Sequence, residues 1–326
     1  MKLRTLFLAA VVAGLGINPA RSADVDPLWP ADSQQVMKLN IRQILESDII
    51  KKYALAQIKQ AMEGKDAQKM MKDLGLDPLK DIDTLSGGLW GDDPKDMHGL
   101  VILRGKFDPA KLFEAIDKAI QKDGDKISIV KEGDTKLVKI VADNIPEPLY
   151  ATMADDKTIL VASDKKIVMA GVKAADTKAK SAIKADLVEL VKAMDDKASM
   201  FFCGLSSGKV GEIPPNPIFD DVEKLKKQLE SMQSSSMTLR VTGDVSMELM
   251  MSMKSTDSAD DFGTTVKELL DKARVFLPII AMQAPQAKAI VDDLKKNLGS
   301  KVDGKNIKMN VKISGDAIGK AVGAEE

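Results

Sequence analysis

The sequence predicts an α+β protein built as two similar halves, each a mainly antiparallel sheet with helices packed on one face. Three observations lead to this prediction. Short segments alternate apolar and polar residues with a period of two, which is typical of strands with one buried face. Segments with apolar residues at helical spacing separate these strands. Two strand-to-helix junctions also recur in the chain at nearly the same offset.

The beginning of the chain predicts export. Residues 1–22 resemble a bacterial signal peptide of the Sec type, because Lys2 and Arg4 precede an apolar run and Ala20-Arg21-Ser22 fits a small-x-small cleavage site. The run has about a dozen residues, fewer than a spanning helix needs. An N-terminal helix that stays as an anchor is the alternative. We therefore expect a periplasmic or extracellular protein with no transmembrane segment in the mature chain.

Residues 23–176 are predicted to form the first α+β repeat. Asp108-Pro109 starts a helix, because aspartate is a good N-cap and proline suits the first helical position. The same argument places a short helical turn after Asp77-Pro78. The predicted order is strand 35–40, helical region 41–74, strands 85–90 and 100–107, a helix after 108, strands near 126–131, 135–142, 149–153 and 158–162, and helix 164–174.

Residues 177–326 are predicted to form the second repeat. Its predicted elements are helix 181–194, strand 199–205, a loop with Pro214, Pro215 and Pro217, helix 219–233, strands 236–243 and 245–254, a helix from Ser258, helix 286–298, strand 305–313 and helix 316–322. Asp108 and Phe113 recur as Asp257 and Phe262 at an offset of 149. Ser163 recurs as Ser314 at an offset of 151. These offsets favour duplication, and two unrelated α+β halves are the alternative.

The strand at 245–254 carries the clearest alternation. Met247, Met251 and Met253 share one face with other apolar residues, whereas Glu248 and Lys254 point to the opposite face. Each buried leucine or methionine contributes roughly 1.5–3 kcal/mol, while an unpaired buried charge costs several kcal/mol. We therefore expect helices to cover the apolar face and the polar face to stay in water or meet a polar partner.

Three segments resemble a group of exported bacterial proteins of unknown function with a duplicated α+β architecture. They are Trp29-Pro30-Ala31-Asp32-Ser33, the stretch LGLDPLKDID at 74–83, and Phe107-Asp108-Pro109-Ala110-Lys111. The resemblance covers most of the mature chain. Its motifs are capping and turn signals, so it implies an architecture and no catalytic residues.

Composition excludes several classes of function. The formal net charge is −1, so the chain has no sequence-wide reason to bind nucleic acid. A single cysteine, Cys203, excludes a disulfide scaffold and a cysteine zinc cluster, and a single histidine, His98, excludes a multi-histidine metal site. We expect no metal and no cofactor. Cys203 is expected to be a buried, inert thiol, with a reactive or dimerising cysteine as the alternative, and His98 to be an exposed or edge residue.

Catalytic motifs are incomplete. Residues 204–208 match the G-x-S-x-G pattern of a nucleophilic serine, but that pattern needs a histidine later in the chain, and His98 precedes it. The stretch ending at Val210 departs from a P-loop at both ends. Six Asp-Asp pairs lack the spacing of a calcium loop and suit turns and helix starts. An enzyme would have to rely on carboxylates alone.

Two hypotheses about function follow. The first is an exported, non-enzymatic binding or structural protein of the cell envelope, which binds an unknown envelope protein or component through an exposed polar sheet face. The alternative is a carrier of an apolar, lipid-like ligand in a methionine-lined cavity, since methionine adapts to irregular apolar surfaces. The residues that would form an apolar ligand or partner surface are Met247, Met250, Met251, Met253, Phe276 and Ile279.

Overall fold

The computed structural model describes residues 22–65, 68, 71, 75–91, 96–143, 145–177, 180–211 and 221–323. Apart from Ser22, the predicted signal peptide lies outside these residues. The predicted acidic turn at 92–95, the proline loop at 212–220 and the end of the predicted helical region at 72–74 also lie outside them.

In the described part of the chain, twelve strands form one continuous antiparallel sheet. The strands are β1 Gln35–Asn40, β2 Ile82–Trp90, β3 His98–Gly105, β4 Ile127–Glu132, β5 Thr135–Ile140, β6 Leu149–Asp155, β7 Thr158–Ala162, β8 Met200–Leu205, β9 Met232–Val241, β10 Asp244–Met253, β11 Gly299–Asp303 and β12 Asn306–Ser314. Their order across the sheet is β11-β12-β10-β9-β8-β1-β2-β3-β7-β6-β5-β4. The predicted α+β class with antiparallel strands is thus confirmed. The two halves of the chain meet inside the sheet where β1 pairs with β8.

Ten α-helices are defined among the described residues. They are α1 Ile41–Glu46, α2 Leu55–Met62, α3 Pro78–Asp81, α4 Pro109–Asp123, α5 Lys165–Thr177, α6 Ala185–Lys192, α7 Val222–Glu230, α8 Thr256–Gln283, α9 Lys288–Asn297 and α10 Gly315–Ala321. A π-helical turn, Ile50–Ala54, precedes α2, and a 3-10 turn, Pro285–Ala287, joins α8 to α9.

Local capping chemistry sets several helix starts. The Asp108 carboxylate accepts hydrogen bonds from the backbone N–H groups of Ala110 and Lys111 at the start of α4, and Asp77 does the same for Leu79 in α3. Helix α8 begins earlier than the sequence predicts, because Ser255 is its N-cap and accepts from the N–H of Ser258. Pro278 lies inside this helix.

Helices pack on both faces of the sheet, so the expectation of helices on one face only is wrong. One buried cluster joins Ile102 and Leu160, which are paired on one face, to Val168 of α5 and Leu187 of α6. A second cluster joins the pair Met251 and Ile307, on the opposite face, to Phe262 of α8 and Leu225 of α7. The physical reason is that the apolar pairs of β3 with β7 and of β10 with β12 lie on opposite faces of one continuous sheet, so each group needs helices on its own side.

The two faces are covered over different strands. The N-terminal segment, α5 and α6 pack on the face of Ile102, which we call the covered face. On the other face, α8 packs on β10, β11 and β12, and α4 packs on β4 at the opposite side of the sheet. Helices therefore cover this second face mainly over the outer strands.

Candidate functional site

An uncharged apolar surface extends over the central strands on the face opposite the covered face. Directly paired residues of antiparallel strands point to the same face, so the register fixes which side chains belong together. We call this surface the apolar floor. Its apolar residues are Met37, Leu39, Leu85, Leu89, Val101, Leu103, Ile159, Val161, Met200, Phe202, Met237, Leu239 and Met247.

Apart from the buried glycines Gly87 and Gly204 on the floor side, burial of these strands is greater on the covered face. Val36 and Phe201 point to the covered face and are buried, whereas their neighbours Met37 and Phe202 on the floor are only half-buried. In β3, Leu100 and Ile102 are buried and Val101 is exposed. The same alternation runs through β7 and β9. The floor is therefore the side of the central sheet that the described helices leave open to solvent.

None of the floor residues is charged, although 30% of the residues in the chain are. The uncharged residues Gln35, Gly87, Gly99, Gly204 and Ser235 point to this face from the same strands, as do Val241, Val245, Leu249 and Met251. Four floor residues are methionines, whose flexible side chains adapt to irregular apolar partners. Large contiguous apolar surfaces on the outside of a protein are typical of interaction sites.

Two helices border the floor. On one side, the ring of Phe113 in α4 lies 5.7 Å from Nζ of Lys136, which points to the floor side of β5. On the other side, Phe262 and Val266 of α8 pack on Met251 and Ile307. Six strands separate β6 from β10, so at about 4.8 Å per strand the open region is roughly 29 Å wide.

A cavity of ≈ 500 Å³ opens at one end of the floor. Phe202, Gly204, Gln35 and Ser235 belong to both the cavity and the floor face, so the two are continuous. The remaining lining is mixed, because the polar residues Gln34, Ser206, Ser207 and Lys209 lie beside the apolar residues Met97, Leu205, Val210, Leu229 and Met232. The site thus joins a wide apolar surface to a smaller recess that offers several polar groups.

The structure separates the six residues that the sequence proposes as an apolar surface. Met247 lies on the floor and is 38% exposed. Met251 and Met253 lie in the filled core under α8, and Met250 points to the opposite face of β10. Phe276 and Ile279 lie on the exposed side of the last turns of α8. The methionines of β10 therefore do not line one common cavity.

The polar sheet face, which the first hypothesis requires, is buried at the centre of the sheet. Ser86, Ser236 and Thr238 point to the covered face and are buried. The polar face is exposed on β10 and β12, where Lys308 pairs with Glu248 at 2.9 Å and Lys312 with Asp244 at 2.7 Å. The expectation of an open polar face thus holds for these outer strands and fails for the central ones, where the N-terminal segment and α6 cover it.

A second, charged cleft of ≈ 660 Å³ lies where the central strands meet α1. Its carboxylates include Asp83 and Asp196. Asp83 accepts a hydrogen bond from the Arg42 guanidinium at 3.0 Å, and Asp196 accepts one from Lys38 at 2.9 Å. Each of these two carboxylates in the cleft is thus paired with a cation.

Residues that resemble catalytic groups have structural partners. The Ser206 hydroxyl accepts a hydrogen bond from the N–H of Gly208 and so closes a tight turn. His98 lies against the ring of Trp90, and its Nε2 is 3.6 Å from the carboxylate of Asp96. Burial raises the pKa of the Cys203 thiol to about 12. Within the described ranges, no group of three histidine, cysteine or acidic side chains is placed to hold a metal ion.

The sequence signal for the floor was the alternation in each strand, but alternation does not say which face the other elements leave open. No helix among the described residues combines the length and apolar character that crossing a membrane requires. Comparisons of the chain with protein-family models, with curated proteins and with solved structures gave no match.

Proposed function

We propose that the chain is an exported, non-enzymatic binding protein whose ligand is an amphiphile with an acyl chain, such as a single lipid. The apolar floor takes the acyl chain, and the polar recess at its end takes the head group. The observation that carries this proposal is the uncharged, largely half-buried floor on seven neighbouring strands, β10 to β7, in a chain that is rich in charge.

The energetics favour an acyl ligand. A bound acyl chain gains about 0.8 kcal/mol for each methylene that it removes from water. The floor offers no charge that would have to be desolvated, so this gain is not offset by the cost of burying ions. The half-buried methionines, among them Met37, Met200 and Met237, can adjust their rotamers to chains of different shape.

The recess suits a polar head group. Its lining includes the hydroxyls of Ser206, Ser207 and Ser235 and the amides of Gln34 and Gln35. These neutral groups can donate and accept hydrogen bonds, and Lys209 adds a cation to the same lining. A ligand that lies with its chain on Phe202 and the adjacent floor would place its head among them.

The export and duplication that the sequence predicts belong to the same proposal. A periplasmic or extracellular site of action follows from the predicted signal peptide in residues 1–22. Duplication is supported by the element order, because β1, β2, β3 and α4 follow one another as β8, β9, β10 and α8 do. In both halves the last strand, β7 or β12, pairs with the third strand of that half, although the first half has the additional hairpin β4-β5 before it.

A second candidate is a protein or other envelope component that binds the exposed polar face of β10 and β12. The observation in its favour is the row of ion-paired side chains Glu248, Lys308, Asp244 and Lys312. These pairs can exchange partners on binding. A Lys308→Glu variant that loses a specific partner from envelope extract, while the wild type retains it, would support this candidate.

Two methionines on one strand provide a matched test of the floor. Met247→Glu places a carboxylate on the floor, whereas Met250→Glu places one on the opposite face, beside Lys308. The chain from Ala23 onward is delipidated and titrated with cis-parinaric acid, whose fluorescence rises in apolar surroundings. We expect Met247→Glu to weaken binding at least tenfold, about 1.4 kcal/mol, and Met250→Glu to bind like the wild type.

Native mass spectrometry of protein purified without detergent gives a second readout. We expect a bound mass in the range of a lipid for the wild type and for Met250→Glu, and its loss in Met247→Glu. An apo mass in all three proteins, together with equal weak binding of the probe, would refute the acyl-ligand proposal.

A further inference from the structure

The last turns of α8 expose more apolar surface than any other described helix. Val275 is 69% exposed, Phe276 58% and Met282 74%, and Ile279 and Ile280 are also exposed. Leu277 alone is buried in this stretch. These side chains do not belong to the apolar floor, because the structure places them at the end of α8, where the chain turns into α9.

The exposed side chains surround most of the helix. At 100° per residue, Val275, Phe276, Pro278, Ile279, Ile280 and Met282 span an arc of about 200°. A helix that docks on another protein typically presents a stripe of roughly 100° or slightly more. The apolar arc here is about twice as wide as such a stripe. An arc of this width can be buried where apolar groups contact the helix from several sides, as lipid acyl chains do at a bilayer interface.

The position and charge of this segment fit the same surroundings. Residues 275–287 contain no charged residue, and Arg274 and Lys288 flank them. Helix α10 packs on the 3-10 turn Pro285–Ala287 and carries Lys320, and Val322 beyond its end is 56% exposed. Neither Lys288 nor Lys320 forms an ion pair with another described residue. An uncharged apolar segment, flanked by lysines that form no ion pair with another described residue, is complementary to a bilayer with anionic head groups.

We propose that the tip formed by residues 275–287 inserts into the interfacial region of a lipid bilayer, with Lys288 and Lys320 at the level of the phosphates. Insertion at this depth needs no spanning helix, because an interfacial helix buries its apolar side only about 5–10 Å. The proposal does not depend on the ligand of the floor. It makes the tip the part of the molecule that contacts a membrane.

Vesicle flotation tests the tip. The chain from Ala23 onward, which lacks the apolar N-terminal run, is mixed with vesicles of phosphatidylcholine alone or with phosphatidylglycerol added. We expect the wild type to float with the mixed vesicles and the double variant Phe276→Glu/Ile280→Glu to lose at least tenfold in partitioning. Val141→Glu is the matched control, because Val141 is an exposed apolar residue far from α8 in the sequence, and it should float like the wild type.

Substitution of the two lysines is an independent test of the proposal. Lys288→Gln/Lys320→Gln should weaken partitioning on mixed vesicles by about tenfold or more and leave partitioning on neutral vesicles unchanged, since lysines near an anionic surface are attracted to it. All variants are first checked by circular dichroism. Equal flotation of the wild type and Phe276→Glu/Ile280→Glu would overturn the proposal. So would a wild-type dimer that does not float and becomes monomeric in that variant, which would assign the tip to a second copy.

Discussion

Cys203 lies in the middle of the sheet and points to the covered face. It is fully buried among apolar residues of the first cluster, and this burial raises the pKa of the thiol to about 12. A thiol reacts with disulfide reagents as the thiolate. The structure therefore favours the inert thiol that the sequence predicts over a reactive or dimerising one.

The reactivity of Cys203 follows from this burial. In the native protein, we expect Ellman's reagent to modify it at a negligible rate throughout the range from pH 7 to pH 9, because almost no thiolate forms below the raised pKa. In guanidinium chloride, one thiol per chain should react within minutes. Rapid modification of the native protein would show that the central strands open far more easily than their burial indicates.

Long-range pairs between residues were beyond sequence-based prediction. The Asp26 carboxylate accepts hydrogen bonds from the Arg104 guanidinium and from the Ser86 hydroxyl. These contacts hold the N-terminal segment on the covered face. They join residues 60 and 78 positions apart, so no local pattern contains them. The local outcome at Cys203, by contrast, followed from its apolar neighbours alone.

At the scale of elements, one aspartate links two helices. Asp293 of α9 accepts hydrogen bonds from the N–H and the hydroxyl of Ser314, which is the N-cap of α10. These bonds to Ser314 hold the pKa of the Asp293 carboxyl below its usual value. The carboxylate therefore fixes the cap that begins α10.

Asp293→Asn should lower the thermal midpoint at neutral pH. A carboxylate with a lowered folded-state pKa contributes stability above its unfolded value, near 3.8, and loses it as the pH falls through the folded value. The difference from the wild type should therefore shrink from pH 7 to pH 3. Asp292→Asn, at the exposed neighbouring position, is the control and should match the wild type at both values. A constant difference across this range would contradict the role of the charge.

Most elements could be predicted from local chemistry. Strand β1 has the predicted bounds, and Asp108 caps α4 as expected. Strand β11 was missed, because Gly299–Asp303 is short, contains glycine and charge, and is a strand only through its pairing with β12. The start of α8 was predicted at Ser258, but Ser255 is the N-cap and the helix begins at Thr256.

At the scale of the whole molecule, the two halves of the chain share one core. Val36 and Leu100 of the first half belong to the same buried cluster as Leu187 and Phe201 of the second. The ring of Trp29 also meets that of Phe201 edge-on at 6.4 Å. Removing either half would expose this cluster, so the halves are expected to depend on each other.

Unfolding by urea should therefore be a single cooperative transition. Trp29 and Trp90, the two tryptophans, lie in the first half, whereas α8 of the second half contributes the longest helix among the described residues. Tryptophan fluorescence and circular dichroism at 222 nm should give the same midpoint. Two separated midpoints would indicate halves that fold independently.

The candidate site marks the limit of sequence-based prediction at this scale. Alternation in β10 identified Met247 as a member of an apolar face. It did not show that Met251, four residues along the same face, is covered by α8 while Met247 is not. That outcome depends on how far α8 lies from the centre of a twelve-stranded sheet, a tertiary property that no single strand encodes.

The open sheet ends in β11 and β4, which have five and six residues, whereas β9 and β10 have ten each. Other chains can pair with an unpaired edge strand, and such pairing can begin fibril formation. Here a neighbouring molecule would find only a short row of free backbone groups, with Lys301 and Asp303 at one border and Lys131 and Glu132 at the other. The molecule thus carries a wide sheet with little tendency to polymerise along it.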